Sequence, residues 1–345
     1  MKILAPVINH KDVKQLVDSG SDEFYCGIIT KKWMDDYSHM CSNNRLEHIY
    51  GNLKSFKDLK LLVEESHSYS KPVFLTINAP YYTKQQYNTL MDEINQSINA
   101  GVDALIINDI NLLTELKDFK IELHLSALSN CFNKNSIGFF KEFGVKRIVL
   151  PEHLSISEIK VLSKELNKNN IKPELFILKA FCQNIDGLCT FHHGLNDKKN
   201  NILIEKLKQK SKEVLIRNSD NLIVNNLIKM NSSKMSPCLI DYKIKSSEKE
   251  NSVLKNNIKE HFSSKERLMF KCAVCSLSEL KDSDIHSVKI AGRSESPSKK
   301  SKDIQFVKES INILNKDIEK NKFVSETKNL FSEIYKKKCS KFNCF

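Results

Sequence analysis

The sequence predicts an α/β chain folded as a TIM-like (β/α)8 barrel. Three observations point there. Short apolar runs without polar alternation recur along the chain, as expected of strands buried on both faces of a parallel sheet. Segments of helical periodicity separate them, for example Lys84 to Ala100 and Ser155 to Lys168. Eight such strands can be counted, beginning at Lys2, Glu23, Pro72, Ala104, Glu122, Arg147, Glu174 and Val288. Strands alternating with helices imply parallel βα units, and eight units imply a closed barrel. A doubly wound open sheet is the alternative, but the chain has no Gly-rich dinucleotide turn to support it.

Lys2-Ile-Leu-Ala-Pro6 is the first strand. Gly20-Ser-Asp22 then ends a helix and leads into Glu23-Phe-Tyr-Cys26, the second. Glycine at that position allows the left-handed conformation that closes a helix. Gly101-Val-Asp103 leads in the same way into Ala104-Leu-Ile-Ile107, and Gly144-Val-Lys146 into Arg147-Ile-Val-Leu150. Pro72 to Asn78, Glu122 to Ser126 and Glu174 to Leu178 fill the gaps, and Ser283 to Ser287 introduces the last strand. From residues 196 to 237 Asn, Lys and Ser dominate, which reads as a lysine-rich insertion. Residues 246–266 and 293–303 are polar and read as loops or exposed helix ends, Ile304 to Lys336 as one or two closing helices, and Lys336 to Phe345 as a disordered tail. The expected division is a barrel over residues 1–293 and C-terminal helices with the tail over 294–345.

With 345 residues, 40% hydrophobic and 28% charged, the chain has the composition of a globular protein with a large core. No apolar run is long enough to span a membrane, and the start carries no secretory pattern, so a cytoplasmic location with reduced or metal-bound cysteines is expected. The net charge of +12 admits RNA as a partner, but Lys far exceeds Arg and the excess is spread along the chain rather than gathered in one stripe.

The chemistry lies in the cysteines. Cys182 would fall just beyond the seventh strand, at the face where such barrels carry their active sites. Cys189 follows across Gly187, Cys238 stands in Ser-Pro-Cys, and Cys272 opens Cys-Ala-Val-Cys275. Thiolates are soft ligands, so four suit zinc or an iron–sulfur cluster; the wide Cys182/Cys189 spacing favours the cluster. Cys26, Cys41 and Cys131 read as buried core thiols, and Cys339 and Cys344 as exposed tail thiols. His192 and His193 follow the Cys189 loop as ligands or acid–base groups. Asn78, Asp109, His124, Ser126 and Glu152 lie at strand ends and face the expected site. Lys289 and Arg293 flank Ile290-Ala-Gly292; Arg293 would bind a carboxylate or phosphate, or form a structural salt bridge. No His-Glu-x-x-His, Gly-x-Ser-x-Gly or phosphate-binding Gly-rich loop is present.

Ile3-Leu-Ala-Pro6, Glu23 to Gly27, Val73 to Asn78, Ala104 to Asp109, Ile148 to Leu154, Cys182 to Gly194 and Ser287 to Arg293 resemble the collagenase-like peptidase family U32. The family is named for a reported protease activity. Several bacterial members instead bind a four-iron (4Fe-4S) cluster through four cysteines and support oxygen-independent hydroxylation of ubiquinone precursors, transfer RNA or ribosomal RNA. The resemblance implies Cys182, Cys189, Cys238 and Cys272 as cluster ligands, with Cys275 as the alternative fourth. His124, Ser126, His193 and Arg293 are the candidates for catalytic residues, with Arg293 and the His124/Ser126 pair expected to help bind substrate, and the resemblance implies a second protein of the same family as a partner. The chain departs from the family pattern at Leu178-Lys179, at Leu128, and in the stretched interval between Cys189 and Cys238. The expected function is a cluster-dependent hydroxylation or related redox modification of a small molecule or RNA. The alternatives are a peptidase and a zinc-stabilised RNA-binding module.

Overall fold

The computed structural model describes residues 1–37, 43–44, 51–178, 186–188, 271–339 and 344. Eight parallel strands close into a barrel in sequence order: β1 (Lys2–Pro6), β2 (Glu23–Cys26), β3 (Val73–Ile77), β4 (Ala104–Ile107), β5 (Glu122–Leu125), β6 (Arg147–Val149), β7 (Lys172–Leu178) and β8 (Ser287–Ile290). β1 pairs with both β2 and β8, which closes the sheet and excludes the open alternative. Each strand begins within two residues of its expected start.

The helices are α1 (Val13–Asp18), α2 (Lys31–Tyr37), α3 (Phe56–Ser68), α4 (Lys84–Asn99), α5 (Ile110–Leu116), α6 (Lys134–Lys141), α7 (Ile156–Lys168), α8 (Pro297–Leu314) and α9 (Lys320–Tyr335). Their starts follow from local chemistry. Ser155 and Glu158 form a reciprocal capping box at α7, and Thr83 with Gln86 does so at α4. Gly20, Gly101 and Gly144 all have positive φ at helix ends, as the sequence pattern requires.

Residues 297–303 are helical rather than loop. Ser296 caps α8 and Pro297 occupies its first turn, a position that suits proline. Lys300 and Asp303, expected to be solvated, are buried. α8 packs on β1 and α1, so the helical layer of the barrel continues past residue 293. The tail expectation also changes: Cys339 is half-buried and packs against the core, whereas Cys344 is exposed. The insertion at 196–237 lies outside the described residues.

The two-residue period of a strand sorts the side chains. Outward residues such as Ile3, Phe24, Leu75, Leu105, Leu125, Ile148, Ile177 and Val288 join the helices in one core. Inward residues Leu4, Tyr25, Phe74, Ala104 and Ile106 pack on one another inside the barrel.

Below this plug, at the N-terminal ends of the strands, the interior is ionic. Arg147 donates to Glu23 Oε2 at 2.6 Å and Oε1 at 3.1 Å, and to Glu174 Oε2 at 2.8 Å. Ser287 donates to Glu174 at 2.9 Å, and Lys2 to Glu23 at 3.1 Å. Arg147 and both carboxylates are buried, and the guanidinium holds the carboxyl groups of Glu23 and Glu174 below their ordinary range against the burial that would raise them. Removing the cation would leave two buried carboxylates short of partners. Arg147→Met is therefore expected to cost about 3–5 kcal/mol of stability, as urea unfolding would show.

Candidate functional site at the C-terminal mouth of the barrel

The strand period that lines the interior continues past the strand ends and brings Gly27, Asn78, Asn108 and Ser126 to the opposite mouth. Asn78 donates to Ser126 Oγ at 3.2 Å. Ser129 donates to Asn108 Oδ1 at 2.8 Å. Among the described residues these positions form a neutral polar rim, and Arg293 lies beside Gly27.

Arg293 is only 6% exposed. Gly292, at φ +109°, sets the turn that delivers it from β8. Its guanidinium donates to Thr76 Oγ1 at 2.8 Å, Asn44 Oδ1 at 2.9 Å and Asn52 Oδ1 at 3.2 Å. All three acceptors are neutral, and among the described residues no carboxylate pairs with it. Among the described residues neutral oxygens rather than a salt bridge hold Arg293. Burial presses its pKa down, yet an arginine stays charged in protein. Gly27 makes the room: a Cβ there would lie 1.9 Å from Arg293 Nη1 and 2.3 Å from Asn52 Oδ1. The acceptors are pinned in turn. Asn44 donates to Asn52 at 3.1 Å and to Asn43 at 3.0 Å, and Asn43 donates to Glu93 at 2.9 Å.

Cys272 stands beside the end of β7. It bridges Leu178 in antiparallel fashion, and Ala273 N–H donates to Ile177 O at 3.0 Å. Between Cys182 and Cys189, Asp186–Leu188 form a 3-10 turn against the β5–α6 connection, so close that a Cβ on Gly187 would meet Leu128 O at 1.8 Å. The described part of the cysteine loop thus lies against the rim that carries Ser126 and Ser129. Cys182, Cys189, Cys238, Cys41, His192 and His193 themselves lie outside the described residues.

The other expected site residues separate. Ser126 is at the mouth. His124 is inside the barrel, 1% exposed, with Nε2 2.9 Å from Glu122 Oε1 below it and its ring edge-on to Phe74. Burial presses its pKa down, so a neutral ring donates Nε2–H to Glu122. Asp109 caps α5 by accepting from Leu112 N–H. Lys289 joins the ionic floor, 3.7 Å from Glu174 Oε1 and 4.4 Å from the centre of the Tyr25 ring, and burial pushes its pKa down to about 8. Burial pushes the Cys26, Cys131 and Cys272 thiols up to about 12 and also raises Cys275. Sequence reasoning missed Asn44, Asn52, Thr76 and Asn108. Thr76 and Asn108 were within reach of the period-two rule; Asn44 and Asn52 sit in loops that gave no signal.

Glu122 yields a pH prediction. The hydrogen bond from His124 and the charges of Lys172 and Arg147 bring its pKa down from 4.5 to about 2. A depressed carboxylate contributes stability above its unfolded pKa and loses it as pH falls towards the folded one. Glu122 is 36% exposed, so solvent screening reduces the effect to about 1 kcal/mol. The wild type should lose stability from pH 4.5 towards 2, and Glu122→Gln should lose less over that span in urea unfolding followed across pH.

Comparison with known proteins completes the description. The sequence pattern of Peptidase family U32 matches residues 8–204 and 213–345, and the chain belongs to that family. The tRNA hydroxylation protein P of Haemophilus influenzae is 27% identical over 198 residues, covering 56% of this chain and 39% of that one. The 23S rRNA 5-hydroxycytidine C2501 synthase of Escherichia coli is 29% identical over 140 residues, covering 41% of this chain and 21% of that one. A collagenase of Porphyromonas gingivalis is 21% identical over 196 residues, covering 54% of this chain and 44% of that one. The aligned part is thus less than half the length of each of these relatives.

Proposed function

We propose that this protein takes part in hydroxylation of a base in transfer or ribosomal RNA, with an iron–sulfur cluster at the mouth of the barrel. The observation that carries the reading is a buried Arg293, paired with no carboxylate among the described residues, at the same mouth as the described part of the cysteine loop, in a family whose relatives include proteins named for tRNA hydroxylation and rRNA hydroxycytidine synthesis.

Hydroxylation replaces C–H by C–OH, a two-electron oxidation that needs an oxygen-donor co-substrate. The residues of the mouth suit the positioning. Arg293 presents a desolvated cation to an anionic group, either a phosphate of the RNA or a carboxylate of the donor. Asn78, Asn108 and Ser126 offer hydrogen bonds to a base edge. Cys182, Cys189 and Cys238 would hold the cluster, with the fourth position open to Cys272 or Cys275. The place of Cys272 beside the end of β7, from which the Cys182 loop departs, supports that donor set. A 4Fe-4S cluster bound there supplies one-electron redox chemistry that side chains lack.

The peptidase reading finds less support. Among the described residues, His124 is buried against Glu122, and the thiols of Cys26 and Cys131 are protonated at neutral pH, so neither forms an activated nucleophile.

Anaerobic purification with iron and sulfide analysis tests the cofactor. About four irons and a broad visible band are expected, both lost in Cys182→Ala, Cys189→Ala. A colourless, iron-free protein sinks the cluster. Mass spectrometry of tRNA and rRNA nucleosides from cells with and without the gene tests the substrate. One nucleoside should lose an oxygen atom when the gene is deleted and should not be restored by Arg293→Met. An unchanged nucleoside profile rules out RNA.

A further inference from the structure

Arg293 has a counterpart behind it. Glu93 of α4 is also a buried ionisable group, 2% exposed, that no cation pairs with among the described residues. Its carboxylate accepts from Thr30 Oγ1 and, at 2.9 Å, from Asn43 Nδ2. Thr30 accepts in turn from the N–H of Trp33 at 3.1 Å, which leaves its hydroxyl hydrogen for Glu93. Burial raises the pKa of Glu93, and the bonds from Thr30 and Asn43 oppose that rise.

A run of amides joins Glu93 to Arg293. Asn44 Nδ2 donates to Asn43 Oδ1 at 3.0 Å and to Asn52 Oδ1 at 3.1 Å. Arg293 donates to Asn44 Oδ1 at 2.9 Å and to Asn52 Oδ1 at 3.2 Å. Asn43 and Asn44 thus both turn nitrogen towards Glu93 and oxygen towards Arg293. Both are enclosed, and Tyr82 fixes the loop between them and α4 by donating to Asn43 O at 2.6 Å.

The shape of an asparagine does not set this direction, because its oxygen and nitrogen ends are nearly the same size. The ends of the run set it. A carboxylate only accepts and a guanidinium only donates. Flipping Asn43 alone would put oxygen against the carboxylate and N–H against the N–H of Asn44, and buried groups left unbonded cost their full desolvation. Thr76 is directed in the same way from another side: its hydroxyl donates to Cys26 O at 2.9 Å and so offers a lone pair to Arg293.

We propose that Glu93 is a positioning residue of the Arg293 site: its carboxylate fixes Asn43 and Asn44 so that amide oxygens meet the guanidinium, and thereby holds Arg293 in one orientation for an anion at the mouth. The inference rests on the reading that Arg293 receives an anion there. The two buried groups stabilise each other through aligned amide dipoles rather than by contact. A carboxylate bonded directly to Arg293 would instead take up the donors that an incoming anion needs.

The test is arginine side-chain NMR of the full chain, purified anaerobically, with inorganic phosphate as the probe and Arg293→Met to assign the signals. In the wild type the two Nη groups of Arg293 should give separate signals, because a bonded guanidinium does not rotate freely, and phosphate should shift them. Glu93→Met keeps the length of the side chain but accepts nothing. There the Nη signals should merge and phosphate affinity should fall about tenfold or more. Glu93→Gln can still accept from Asn43 and should stay within about threefold of the wild type. A role confined to fastening α4 would lower the melting temperature of Glu93→Met and leave both readings at Arg293 unchanged, and that result overturns the proposal. So does Glu93→Gln failing as completely as Glu93→Met, or a wild type whose Arg293 signals phosphate leaves unmoved. Should Glu93→Met not fold, Asn43→Ala removes the middle of the run and should show the same two changes; wild-type behaviour there overturns the proposal. Failure of the RNA reading is distinguishable: gene deletion would leave the nucleoside profile unchanged while phosphate binding at Arg293 still depended on Glu93.

Discussion

Arg147 holds the floor of the barrel, and the rest of the molecule depends on that floor. The strands are short, from three residues in β6 to seven in β7, so each contributes few interior side chains. Apolar residues fill the middle of the interior, but the N-terminal end carries Glu23, Glu174 and Ser287. Without a central cation, two carboxylates would be buried side by side, an arrangement that protein interiors tolerate only by neutralising one of them. Arg147 bonds both and ties β2, β6 and β7 together. The sealed floor leaves the opposite end as the open mouth, where barrels of this type place their chemistry.

The C-terminal corner has a different physical basis. α8 belongs to the helical layer and is anchored by β1 and α1. α9 has no strand to follow and is held, among the described residues, by an aromatic cluster, a hydrogen bond to Asp303, an ion pair between Lys320 and Glu279 and packing on the 3-10 helix Val274–Ser278. Such contacts orient a helix but close few backbone constraints.

Most of the barrel was legible because its strands are buried on both faces and so read as unbroken apolar runs. Helix starts were legible where a cap is local, as at Ser155 with Glu158. The site was legible only in part. Ser126 and Asn78 follow from counting along a strand, but the same rule carries His124 into the interior, where Glu122 occupies it. The partners of Arg293 could not be read, since Asn52 is 241 residues away and Asn44 is 249. No local pattern encodes which neutral oxygens will meet a distant guanidinium. The pairing of Cys272 with Cys344 is hidden for the same reason, since the two lie far apart along the chain. The polar stretch before Ile304 misled because Lys300 and Asp303 look solvated until α8 is seen packed against the barrel and bonded to Tyr335.

The two buried arginines make the division of labour explicit. Arg147 and Arg293 sit at opposite ends of one barrel, and both are almost fully enclosed. Arg147 has two carboxylates, so its charge is spent within the fold. Among the described residues Arg293 bonds the oxygens of Thr76, Asn44 and Asn52, which do not cancel its charge. An enclosed cation with neutral partners keeps an unfavourable burial energy that an incoming anion can relieve. Low local dielectric strengthens such an attraction relative to one at an exposed lysine. The room for the guanidinium between Asn52 and Thr76 rests on the glycine at position 27, where a Cβ would lie 1.9 Å from Arg293 Nη1.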